Sequence, residues 1–437
     1  MSTSGAPAGH ASAGHALVGR RASWWLPLAL IVASEYEFRR RPDGLSLNNS
    51  VDLWIVAELG VYSSVGIYVL VRLEPTLRRH PLVVWLAAYC IAAAVSAVYS
   101  PYPGLAMVRG VQMVIILLTV LRFIDDADVS SVRRFLHGYV VLTSVSILIG
   151  VLSVTPKTPT QVGRFTWLHT HSVTAAAMLA MSTVILFGMW LMHRAARLPW
   201  RRWVYALLLV VHVVALLATR TRGSIGAAMI AVLVITMMWL RTEGKRDFLV
   251  TMVVALVAVA LTLAGPIVSF VLRDSNPAQL ASFNERTDLW SRAIEVFLTQ
   301  PVGGLGLAAS RGLFFDATGL GGAHNAYVNV LVDTGLVGMF FWGGSIVLIF
   351  VYARRARRVA KTIDPAATLM FDTVTIIGLM VCQLVNGVTA EFAGSGVSAS
   401  AMMLFLTAAW VLAASDAANE LVPRRVDRPS EPRAVDV

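Results

Sequence analysis

Stretches of about twenty apolar residues recur along almost the whole chain, near 23–38, 52–71, 81–99, 103–122, 135–153, 172–192, 201–219, 224–240, 248–271, 326–352, 371–390 and 397–415. At 1.5 Å of rise per residue, about twenty residues cross roughly 30 Å of hydrocarbon. Inside a bilayer the backbone must satisfy its own polar groups, so runs of this length become helices. The pattern predicts an all-α integral membrane protein with about twelve transmembrane helices. The first run is short and carries Glu35 and Glu37 at its end, which leaves eleven spans open. Composition agrees, since 57% of the 437 residues are apolar and only 14% charged, far from the balance of a soluble globule.

Residues 1–22 form a small-residue-rich polar head with Arg20 and Arg21 directly before the first run. A secretory signal would put its charge first and a cleavage site after the apolar part. The head therefore reads as a disordered cytoplasmic tail, 23–415 as a single polytopic membrane domain, and 416–437 as a second cytoplasmic tail. Cys90 and Cys382 each fall inside a predicted span and read as small buried hydrophobes, without a disulfide or metal framework.

With the N-terminus inside and sides alternating, two-thirds of the 36 Lys and Arg residues fall on the cytoplasmic side, as the positive-inside rule requires. The same partition puts nearly all of the net charge of +11 there. The basic balance thus reflects topology and contact with anionic membrane lipids, with no nucleic-acid partner; the run ARRARRVAK (353–361) is an inner anchor. Arginines on the outer side have no such explanation: Arg109, Arg164, Arg220, Arg222, Arg273, Arg286, Arg292 and Arg311.

Two outer segments exceed a simple turn, 154–171 and 272–325, and long loops in compact domains are usually functional or disordered. The second lies between the ninth and tenth spans and is a large extracytoplasmic loop. It contains SFNERTDLWSRAIEVFLTQPVGGLG, in which Ser282 and Glu285 are spaced as a capping box. Leu289, Trp290, Ala293, Ile294, Phe297 and Leu298 follow at helical spacing, and Pro301, Gly303 and Gly304 end the run. This predicts an amphipathic helix on the outer surface.

In LLATRTRGSIGAAM (216–229), Arg220 and Arg222 stand between apolar stretches at an expected helix start. Each could snorkel to the interface. Together they also present planar guanidinium forks that match phosphate oxygens. Arg286, in the first turn of the surface helix, opposes the helix dipole; it serves either Asp288 or a ligand. His324 follows Gly321, Gly322 and Ala323, with Asn325 and Tyr327 beside it. It is either a polar cap or, as a neutral imidazole among arginines, a group that takes a proton from a hydroxyl. Glu58 lies well inside a predicted span and needs a partner. Arg109, Arg164 and Glu391 fall near the outer face and could line a cavity.

The pieces TRTRG (219–223), NERTDLWSRAIEVFLTQPVGGLG (284–306) and AHNAYVNVLVDTGLVG (323–338), in this order, resemble the O-antigen ligase and Wzy polymerase family of bacterial multi-span enzymes. GRFTWLHTHSVTAAAMLAM (163–181) also resembles a family segment, with His171 where asparagine is more usual. The resemblance is strongest over 160–340. It implies a glycosyltransferase of the bacterial inner membrane, with both termini cytoplasmic. Its site would face outward and move a glycan from a polyprenyl-diphosphate carrier to a lipid or glycan acceptor, with inversion and without cofactor or metal. Carried over, His324 activates the acceptor hydroxyl while Arg222 and Arg286 hold the diphosphate. Arg220, Arg164, Arg109, Asn325, Tyr327 and Asp333 are further candidates for binding, Asp333 alternatively orienting the surroundings of His324 or pairing an arginine.

Two other classes compete. A transporter of lipid-linked sugars would show internal repeats and broken helices near mid-membrane, and neither is read in the sequence. A metal-dependent enzyme using a polyprenyl-monophosphate sugar would want an acidic pair in the first outer loop, where only Glu35 and Glu37 in SEYEFRRR offer themselves.

Overall fold

The computed structural model describes residues 23–38, 53–72, 80–126, 129–153, 161–195, 199–245, 247–248, 251, 286–318, 323–363, 368–391 and 396–421. Among them the regular structure is helical and no strand occurs. The helices are α1 (Leu26–Glu35), α2 (Leu53–Arg72), α3 (Pro81–Val95), α4 (Pro103–Asp126), α5 (Val129–Leu152), α6 (Ser172–Ala195) and α7 (Pro199–Ala218). They continue with α8 (Arg222–Thr242), α9 (Arg286–Thr299), α10 (Ala309–Thr318), α11 (Ala326–Ile363), α12 (Thr368–Gly387) and α13 (Ala399–Leu421).

Ten of these are long and apolar enough to cross a membrane, against about twelve expected. The first expected span yields only the ten-residue α1, about half a bilayer in length, and the ninth, 248–271, lies almost wholly outside the described residues. So do the tails, apart from residues 416–421, which continue α13 rather than beginning a tail.

Helices α6 and α13 have 83% of their apolar window buried and α12 has 78%, against 17% for α7. These three form the centre, and the others surround it. Small residues permit that density, as in other membrane bundles: a Cβ added to Gly188 of α6 would lie 2.1 Å from Thr375 Oγ1 of α12. Likewise Gly344 lets α11 close on Trp85 of α3.

Helix α11 is broken. Gly335 has φ 63° and ψ −164°, and the loop after α9 inserts at that point. Leu305 and Gly306 donate to the carbonyls of Val332 and Asp333 at 2.8 Å, while Leu336 and Val337 donate to those of Pro301 and Val302 at 2.9 and 3.1 Å. Those four α11 groups are the ones two helical hydrogen bonds would have joined, and each finds its partner on the loop instead. The sequence reading of unbroken helices is therefore corrected here, because a single glycine in an apolar run gives no sign of a break.

Helix α9 lies where the periodicity put it. Leu289 and Ala293 are buried with Phe314, Ala323 and Val332 in a small core of their own, against which Trp290 and Phe297 pack. Ile294 and Leu298 were expected on the same face but are 49% and 65% exposed. The capping-box residues Ser282 and Glu285 lie outside the described residues.

Candidate active site

One end of the bundle gathers the 161–171 segment, the turn 219–221, residues 301–318 and 323–325, and the ends of α12 and α13. His324 is its centre. The residue has φ 51°, the left-handed region that costs a non-glycine residue roughly 1–2 kcal/mol, and hydrogen bonds on both sides hold it there. The Ala323 amide donates to Asn329 Oδ1 at 3.1 Å, and the Ala323 carbonyl accepts from the Trp290 indole at 2.9 Å. Asn325 Oδ1 accepts from the amides of Tyr327 and Val328 at 3.0 and 3.1 Å, which makes it the N-cap of α11. The His324 amide donates to Glu391 Oε1 at 3.3 Å, and the imidazole Nδ1 lies 3.3 Å from the same oxygen. Strain that its surroundings over-determine in this way marks functional positions.

One immediate partner of the imidazole is thus a carboxylate, which the sequence reading did not pair with it. A carboxylate on Nδ1 fixes the tautomer and aims Nε2 outward. His324 keeps 37% of its side chain exposed and Glu391 keeps 25%, enough for a ligand to reach the ring. The sequence reading placed Glu391 only near the cavity, since 67 positions separate the pair.

The arginines approach through α8. Ser224 Oγ donates to Asn386 Oδ1 at 3.0 Å, and Gly223 lies so close to Thr389 that an added Cβ would be 1.9 Å from its hydroxyl oxygen. The N-terminus of α8, with Arg222 as its first residue, is therefore seated against the chain just before Glu391. Arg222 Nε is buried with no hydrogen-bond partner among the described residues. Arg220 has φ 53°, and its guanidinium lies by Gly163, where an added Cβ would be 3.5 Å away. Arg164 braces the turn between them, donating through Nε to the Thr219 carbonyl at 3.0 Å and through a terminal nitrogen to Thr221 Oγ1 at 2.8 Å. The backbone of Arg286 opens α9, but its side chain lies outside the described residues.

Other expected residues have protein partners of their own. Arg109 donates to Glu58 Oε1 at 3.0 Å and to Gln112 Oε1 at 2.8 Å, and Gln112 donates to the same Glu58 oxygen at 2.9 Å. Arg109 is thus the partner that Glu58 required. Tyr327 hydroxyl donates to the Leu384 carbonyl at 2.8 Å and its ring meets Trp342 edge-on at 5.6 Å, tying α11 to α12. Asp333 is fully buried, and its Oδ1 accepts the Ser310 amide at 2.7 Å, so it caps the start of α10. Glu35, the residue that a metal-dependent enzyme would have wanted, instead accepts the Ala399 amide at the start of α13.

His171 belongs to the same end. It is the N-cap of α6, with Nδ1 accepting the Val173 amide at 3.2 Å. The protein atoms around the ring, and then the nearby Arg164 guanidinium, push its pKa below the usual 6.5.

Taken together, the ten candidate spans and this end-on polar site define a multi-pass membrane protein with a basic site, a left-handed histidine and its carboxylate partner at one end. Residues 207–343 match the family model described as O-antigen ligase, in agreement with the resemblance read from the motifs. The match includes Arg220, Arg222, Arg286, His324, Asn325, Tyr327 and Asp333, while Arg164, His171 and Glu391 join the site from outside it. That family description implies a membrane enzyme of glycosyltransferase type, and with it lipid-linked glycan substrates. Comparison with curated proteins gives no match.

Proposed function

We propose that this protein transfers a glycan from a polyprenyl-diphosphate carrier to an acceptor hydroxyl on a lipid or a second glycan, at the extracytoplasmic face of the bacterial inner membrane. The observation that carries the proposal is His324, held in a strained conformation by four flanking groups with Glu391 on its Nδ1. An imidazole so held takes the acceptor proton through Nε2 as the oxygen attacks, and the carboxylate stabilises the imidazolium that forms. Attack from the side opposite the diphosphate breaks the sugar–oxygen bond with inversion. Arg222, Arg220 and Arg286 neutralise the charge that develops on the leaving diphosphate, so the chemistry calls for no metal, and Arg164 holds the turn that presents the first two.

The break in α11 does not favour transport, because the chain's own loop occupies it and the freed groups do not line a path. The test is transfer from a polyprenyl-diphosphate-linked glycan by protein in vesicles with chelator present. Wild-type turnover, lost in His324→Ala at equal abundance, supports the reading. Turnover that persists in His324→Ala removes the base, and movement of donor across the vesicle without transfer would assign a transporter.

A further inference from the structure

The site contains a second histidine that the mechanism above does not use. His171 is exposed although it begins the deeply buried α6. Its Nδ1 accepts the Val173 amide, and a ring nitrogen that accepts from an amide carries no proton in the neutral ring. The proton of neutral His171 is therefore on Nε2, and among the described residues Nε2 makes no hydrogen bond. Its neutral state is favoured by the protein atoms around the ring and then by Arg164.

Placement adds the rest. Thr221 Oγ1 lies 3.5 Å from the Ser172 carbonyl, one residue from His171, and 2.8 Å from the Arg164 guanidinium. Thr221 itself separates Arg220 from Arg222. His171 thus stands across the turn from the arginines that face the carrier in the proposed reaction, with a donor of fixed direction. A side chain recruited only to cap α6 would be better supplied by Ser, Thr, Asp or Asn; the imidazole reaches farther and keeps its second nitrogen for something else.

Resting on the proposed reaction, we propose that His171 is a substrate-binding residue whose Nε2–H donates to an oxygen of the carrier's diphosphate beside the Arg220–Arg222 turn. It adds a neutral, directional donor to a cluster of diffuse positive charge, which orients the diphosphate without raising the charge of the site.

The experiment measures the dissociation constant of a short polyprenyl diphosphate lacking sugar, with full-length protein in nanodiscs. His171→Ser keeps a side chain able to cap α6 but too short to reach the ligand, and His171→Asn keeps both a cap and a donor. The expected result is that His171→Ser binds roughly ten- to a hundredfold more weakly at unchanged thermal stability, in line with one hydrogen bond to a charged group, and that His171→Asn recovers most of the affinity. Equal binding by His171→Ser and wild type overturns the inference and leaves the proposed reaction standing. Failure of wild type to bind the diphosphate at all overturns both.

Discussion

One oxygen of Glu391 serves His324 twice, accepting the backbone amide at 3.3 Å and lying 3.3 Å from the ring nitrogen Nδ1. The backbone bond fixes where the residue stands, and the ring contact fixes which way it faces. A neutral amide in place of the carboxylate can keep the first and loses the charge behind the second. Glu391→Gln is expected to lower the transfer rate on the order of 10²-fold while leaving carrier affinity within a factor of a few. Single-turnover transfer with a separate binding titration checks this; an unchanged rate would make Glu391 a backbone support alone.

Gly335 is fixed by two constraints at once. Its φ of 63° disfavours a side chain, and an added Cβ would lie 2.4 Å from the Val302 carbonyl oxygen. Gly335→Ala is expected to cost about 2 kcal/mol or more, read as a lowered melting temperature in detergent. A melting curve superimposable on wild type would show that the loop insertion is not required.

Arg109, Glu58 and Gln112 form a closed set inside the membrane span. Arg109→Ala leaves Glu58 without its cation at 7% exposure, a loss of roughly 3–5 kcal/mol for a buried pair. Adding Glu58→Gln removes the stranded charge and is expected to restore much of the loss. Purified yield and unfolding of the two single variants and the double variant give the coupling; additive losses would mean that the pair does not interact.

Asp333 caps α10 from just before the break, so its removal affects folding before chemistry. Asp333→Ala is expected to cost about 1–2 kcal/mol while carrier-diphosphate affinity in the surviving folded protein stays at the wild-type value. Weakened binding without lost stability would return Asp333 to the substrate site.

The pH dependence of His171 has a definite sign. The surrounding protein atoms and Arg164 hold its folded pKa below 6.5, so the unfolded chain binds the proton more readily than the folded one. Its contribution to stability is present above about pH 6.5 and declines as the pH falls below that value. Melting temperatures recorded from about pH 7.5 down to about pH 5 are expected to fall more steeply for wild type than for His171→Asn; parallel curves would contradict the assignment.

What the sequence disclosed follows from the range of each interaction. Spans are set by runs of adjacent residues, so they were legible, as was α9 from its apolar spacing. His324 stood out because a polar cluster preceded an apolar run. Its carboxylate did not, since Glu391 arrives from the end of another helix. Arg109 and Arg164 looked alike as unexplained outer arginines, and only packing separated the partner of Glu58 from the brace of Thr219 and Thr221. The Gly335 break was hidden because glycine is common in membrane helices, and the partner loop lies about thirty residues earlier.

That break divides the labour of α11. Above Gly335 the helix is held sideways by the inserted loop, by Asn325 and by Trp290's grip on Ala323; below it, the stem runs on to the arginines at 354–358. A shift or tilt of the stem in the bilayer therefore bends at the notch before it reaches His324. The first nine residues of α11 belong mechanically to the site, and the membrane can move the rest without disturbing the distance between base and carboxylate.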